Sequence, residues 1–187
     1  ERILPRAVKI LQMTLRVLGY TILVFAILQI TILLLAGFQP LHAIFHGSML
    51  AVSASMTAGL TPMSNGVMYY HSWPTALLLV LATLYAGINL RLRVRALHGD
   101  LKLLANDTAV RSAVIWWTLL LVVFVASLAL SSQVSDIETL ATSGLFEFFA
   151  AAATSGFSII NVHYDPQVIP SGSLLVLSIA TAIGACS

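Results

Sequence analysis

The chain has 187 residues, 59% hydrophobic and only 9% charged, with a mean hydropathy of +0.97, whereas soluble domains run at roughly 45–50% apolar and about 25% charged. That composition excludes an ordinary water-soluble domain. The net charge of +2 comes with no aromatic-basic surface pattern, so it gives no basis for a nucleic-acid partner.

A membrane span needs about 20 mostly apolar residues, because roughly 30 Å of hydrocarbon is crossed at about 1.5 Å per residue. A basic flank, Arg2, Arg6, Lys9 and Arg16, precedes a first such stretch at 17–36. It is longer than a signal-peptide core and lacks a small-residue cleavage site, so it reads as a retained span. Gln29 within it is expected to hydrogen-bond a neighbouring helix. Residues 41–56 are too rich in Ser, Gly and His for a span and read as a re-entrant helix. His42 and His46 share a face there, but no third ligand and no intervening Glu accompanies them, so they read as polar residues at a pore mouth rather than a metal site. The run leads into Thr57-Ala58-Gly59-Leu60-Thr61. A polar stretch holding His71 follows, then a second span at 73–90.

The remaining basic residues, Arg91, Arg93, Arg95, Lys102 and Arg111, lie between this span and a third at 114–130. His98 falls in the same loop. Asn106-Asp107-Thr108 matches a glycosylation acceptor but sits on the side expected to be cytoplasmic, where it stays unmodified. Trp116 and Trp117 suit the interfacial aromatic belt. Residues 145–153 form a second re-entrant run carrying Glu147, which either tunes the field near the following loop or braces a helix N-terminus. Thr154-Ser155-Gly156-Phe157-Ser158 comes next. After His163, a fourth apolar run starts at Ser171 and ends half a bilayer later at Ser187. Because the chain also opens on Glu1, it is expected to be an internal fragment of a longer protein. The single Cys186 offers no disulfide partner and reads as a small packing residue.

The two pentapeptides are 97 positions apart, Thr57 matching Thr154, and the elements around them repeat at the same spacing. Lys and Arg flank spans on the cytoplasmic side, which places the N-terminus and the 91–111 loop inside and both pentapeptide connections outside. Both copies start and end inside, so the repeat is parallel rather than inverted. The expected architecture is all-α, with tandem units of helix, re-entrant helix plus loop, and helix: residues 1–100 form the first unit and 101–187 the second.

Irregular backbone at membrane depth survives where it is buried in protein or lines water. A dehydrated monovalent cation needs several oxygen dipoles of moderate strength, which backbone carbonyls provide. Gly59 and Gly156 permit the angles that turn carbonyls to one axis, and the hydroxyls of Thr57, Thr61, Thr154 and Ser158 add oxygens. A helix C-terminus aimed at the same place adds negative partial charge. Neither pentapeptide holds a carboxylate, which favours a monovalent ion over Ca²⁺ or Mg²⁺.

These residues resemble the Trk/Ktr/HKT family of potassium and sodium transporters, over nearly the whole chain. Beyond the pentapeptides the likeness includes Ala86-Gly87-Ile88-Asn89-Leu90 running into Arg95-Ala96-Leu97-His98-Gly99-Asp100-Leu101-Lys102, and Ile183-Gly184-Ala185-Cys186-Ser187. The resemblance implies units two and three of four around one pore, with Thr57, Ala58, Gly59, Leu60, Thr154, Ser155, Gly156 and Phe157 as the ion-binding filter. It implies a gating stretch at Gly184, K⁺ or Na⁺ as the transported ion, a homodimer, and a cytosolic nucleotide-binding regulatory subunit. Leu60 departs from the family's usual Phe, which Phe157 supplies in the second copy, and the 41–56 helix looks about one turn longer than the family's usual pore helix. Two readings compete: an intramembrane hydrolase using Ser158 and His163, which lacks a G-x-S-x-G elbow, and a membrane subunit that only packs partners. The expected protein is a multi-pass transporter of the cell membrane and not an enzyme.

Overall fold

The computed structural model describes residues 3–89, 92–94, 107–130, 137–159 and 171–185, and all regular structure among them is helical. In chain order these are α1 (Ile3–Leu35), α2 (Pro40–Ser55), a 3-10 turn (Gly66–Tyr70), α3 (Trp73–Gly87), α4 (Thr108–Leu130), α5 (Ile137–Ala152) and α6 (Ser171–Ala185). The expected boundary at 100/101 and the residues His98, His163 and Cys186 lie outside the described residues.

α1 and α4 are long and apolar enough to cross a membrane, with only 22% and 11% of their most apolar windows buried. A core helix of a soluble protein shows the opposite. Leu15, Leu23 and Ile27 on α1 and Ile115, Leu119 and Val122 on α4 are each more than half exposed, a continuous apolar surface that suits hydrocarbon rather than water. α1 also extends well before the expected start, through Arg6 and Lys9, because straight-chain basic residues are good helix formers.

The expected end of the helix at 73–90 is corrected. α3 stops at Gly87, with Ile88 extended at φ −70° and ψ 137°, and a new turn begins when Leu92 and Arg93 donate to the Asn89 carbonyl. Its 15 residues cover about 22 Å, less than a hydrocarbon core. Glycine, a weak helix former, stands where the helix ends. The run expected at 145–153 is also longer, as α5 starts at Ile137.

α1 ends in a Schellman motif: Gly37, at φ +88°, and Phe38 donate back to Leu34 and Leu33. Pro at the first helical position then starts α2. α2 runs back along α1, because Gly47 presses on Ile30: a Cβ at Gly47 would stand 2.6 Å from Ile30 Cγ1 and 2.9 Å from its backbone nitrogen. After α2 the chain returns to where it began. Tyr69 and Tyr70 both reach the Phe38 ring at 6.0 Å, and the Tyr70 hydroxyl shares a 2.9 Å hydrogen bond with buried His46 Nδ1. Burial, reinforced by Tyr69, pushes the Tyr70 phenol well above its usual range.

One buried cluster joins the two halves of the chain, with Leu33, Leu50 and Leu79 against Phe146 and Phe157. A second joins α4, α5 and α6 through Phe124, Phe148 and Val176, and Ser127 and Ser173 hydrogen-bond across it at 2.8 Å. Among the described residues, Gln29 does not make the interhelical bond expected of it. Its amide is buried with no hydrogen-bond partner among the described residues.

The Gly47 contact predicts that Gly47→Ala lowers stability by about 1–3 kcal/mol through overpacking, read as a lower unfolding midpoint in detergent. Adding Ile30→Ala is expected to recover only part of the loss, because the backbone nitrogen at 2.9 Å stays in place.

Candidate ion-filter site

Each pentapeptide begins where a helix ends, and α2 and α5 are the same length, 16 residues, with starts at Pro40 and Ile137. They stop in the same way. Met56, Thr57 and Ala58 donate to the carbonyls of Val52, Ala54 and Ser53; Ala153, Thr154 and Ser155 donate to Phe149, Ala151 and Ala150. These are two further Schellman motifs, and every bond of one has its counterpart in the other.

The left-handed residue of the motif is usually glycine, as Gly37 is at the end of α1. Here it is Thr57 at φ +50° and Thr154 at φ +52°. A β-branched residue in this region is a genuine outlier, costing on the order of 1–2 kcal/mol. Two positions later the chain is left-handed again, at Gly59 (φ +67°) and Gly156 (φ +72°). Both loops therefore carry the same alternation, a left-handed Thr, an ordinary small residue, and a left-handed Gly.

The structure brings the two loops together. A Cβ on Gly59 would collide with the Ser155 carbonyl oxygen and stand 2.7 Å from the Gly156 carbonyl carbon and 2.8 Å from its Cα. A Cβ on Gly156 would only touch Gly59 Cα, at 3.7 Å. Ser155 and Phe157 are buried, whereas Ala58, Leu60 and Gly156 are exposed. Phe157 joins the shared core, while Leu60, the residue in the equivalent place, is 68% exposed.

Three of the four hydroxyls expected to add oxygens make internal bonds. Thr57 Oγ1 donates to Met56 O at 2.8 Å, Thr61 Oγ1 to Met63 O at 2.9 Å, and Ser158 Oγ to Glu147 Oε1 at 2.6 Å. Glu147 accepts the Ile159 N–H at the same oxygen, at 2.7 Å. It therefore braces the chain after the second loop, rather than the helix N-terminus named among the sequence readings; it lies well inside α5. Residues eleven and twelve positions on leave no periodic signal for a sequence reading to find.

Gly184, near the end of α6, presses on the end of α5. A Cβ there would collide with the Ala152 carbonyl oxygen and reach Thr154 Cγ2 at 3.3 Å, so this glycine sits beside the first residue of the second loop. Gly87, 97 positions earlier, has open space around it. His42 is exposed, while His46 is enclosed by Phe45, Tyr69 and Tyr70. No group of three His, Cys, Asp or Glu among the described residues converges on a metal site. Trp117 lines an apolar cavity of about 470 Å³ between α3 and α4, capped by Phe149.

Two outcomes follow. Thr57→Gly relieves the left-handed strain and is expected to hold or raise thermal stability by up to about 1 kcal/mol, read as the unfolding midpoint in detergent. Gly59→Ala is expected to destabilise more than Gly156→Ala, since the second pays only a left-handed penalty of about 1 kcal/mol and the first adds a backbone collision.

Comparison with protein-family models, curated proteins and solved structures finds no match to this chain.

Proposed function

We propose that the chain conducts monovalent cations, with potassium as the favoured ion and sodium as the other candidate, along a path lined by backbone carbonyls of the two Gly-containing loops. The observation that carries this reading is the left-handed Thr, repeated at φ +50° and +52° where glycine would be easier, in two loops that touch through Gly59 and Gly156. Strained backbone persists when the surrounding fold over-determines it, and it clusters at ligand clamps. Left-handed residues at alternate positions let an otherwise extended chain turn successive carbonyls toward one side, as a cation filter requires. Thr57, Ala58, Gly59 and Leu60, with Thr154, Ser155, Gly156 and Phe157, are the proposed filter.

The backbone between Gly59 and Gly156 leaves no room for an ion, so the path runs beside their contact, along the exposed Ala58 and Leu60 side. Two loops do not close a ring. Further loops, from the same protein or from a second copy, complete the axis. In this reading α1 and α4 open two parallel units of helix, re-entrant helix with filter, and helix; both loops enter from the outer face, and the basic residues at the N-terminus and at 91–111 lie in the cytoplasm. Gly184, against Thr154, is placed to move the second loop when α6 shifts. A homodimer and a cytosolic nucleotide-binding subunit accompany this reading through the family resemblance.

The test is Rb⁺ uptake by cells that lack their own potassium uptake and express the protein with Gly59→Arg or Gly156→Arg. Each substitution, at normal membrane abundance, is expected to lower uptake at least about tenfold, because a fixed cation stands in the filter and repels the permeant one. Uptake unchanged in both variants contradicts the proposal.

A further inference from the structure

The two loops are alike in backbone but not in how the chain beyond them is held. In the second copy, Glu147 Oε1 takes two donors at once, the Ser158 hydroxyl and the Ile159 N–H, at 2.6 and 2.7 Å. In the first copy the equivalent positions, 97 residues earlier, are Leu50, Thr61 and Pro62. Leu50 is fully buried and apolar. Pro62 has no N–H to satisfy, and Thr61 bonds to Met63 O instead. Where the acceptor is missing, the backbone donor is missing too and the hydroxyl is turned to another acceptor.

The braced residues also form the seam between the copies. The Ser158 carbonyl approaches Gly66, where a Cβ would stand 3.3 Å away, and Ile159 packs on the cluster of Val67, Tyr70 and Ala76. Moving residues 158–159 therefore moves Gly156 relative to Gly59.

We infer that Glu147 is a positioning residue: by accepting both donors, its carboxylate fixes the second loop against the first and so sets the geometry of the ion path. The effect on transport rests on the cation-path reading above, while the brace itself does not. Its role is that of an acceptor at a fixed point, not of an ion ligand. The first copy shows the chemistry that replaces it, an apolar residue in the helix paired with a proline after the loop.

That pairing supplies the test. In the whole protein in its membrane, Glu147→Leu is expected to lower apparent Rb⁺ affinity about tenfold, the scale of one or two lost hydrogen bonds, and to speed hydrogen exchange at the Ile159 amide. Glu147→Leu with Ile159→Pro copies the first loop and is expected to bring affinity back to within about threefold of the starting protein, because the orphaned backbone N–H is gone and the Ser158 hydroxyl can rotate to another acceptor, as Thr61 does. Glu147→Gln, which keeps an acceptor oxygen, is expected to retain slow Ile159 exchange. Starting affinity and slow exchange in Glu147→Leu overturn the inference, as does a double variant no better than the single one. If Glu147→Leu does not reach the membrane, Glu147→Gln decides: fast Ile159 exchange in that variant overturns the inference. Absence of Rb⁺ uptake by the unsubstituted protein would remove the transport reading, and the exchange measurements would still decide the brace.

Discussion

A backbone that leaves its helix must pass its last carbonyls and the N–H groups that follow to other partners, because a buried polar group left unmet costs about 1–3 kcal/mol. α2 and α5 meet this demand with the same Schellman bonds. Those bonds require a left-handed residue, and both helices supply a threonine. The end of α1 shows the easier solution, with Gly37 in that place. The helix ends alone therefore do not account for the threonines, whose strain has to be maintained by something built around the loops.

What is built around them is each other. Gly59 lies against Ser155 and Gly156, Gly66 lies against Ser158, and Phe157 is inserted in a core shared with Leu33, Leu50 and Leu79. The repeat is nevertheless uneven in its supports. His46 and Tyr70 tie the chain after the first loop to α2, whereas Glu147 ties the chain after the second to α5. A Cβ on Gly184 would collide with the end of α5 and reach Thr154, whereas one on Gly87 would meet nothing within 4 Å among the described residues. The two loops thus share a backbone conformation and differ in the contacts that hold the chain after them.

Much of this was legible in the residues. Small residues around Gly59 and Gly156, a short helix-forming run before each, and the 97-residue spacing all come from local chemistry that a linear pattern preserves. The boundaries were less legible. Hydropathy sees only apolar length, so it missed that Arg6 and Lys9 continue α1 and that polar residues from Ile137 already belong to α5. It also ran the second span past Gly87, where the backbone turns out of the helix. The left-handed threonines carry no sequence signal, since threonine rarely adopts that conformation. Glu147 was visible as an unusual carboxylate, but its partners depend on how irregular chain folds back on α5, which no period encodes. Gln29 drew a bond from its polarity alone, and among the described residues its amide has none.

Under the proposed function, the two loops present carbonyls to one cation. Crystals of the protein grown in Rb⁺, with data collected at the rubidium absorption edge, test it most directly. The account predicts an anomalous peak beside the Gly59–Gly156 contact, within coordination distance of carbonyl oxygens from both loops, that fades when Rb⁺ is replaced by a large organic cation. A map in which both loops are ordered and no Rb⁺ peak lies near either would contradict it.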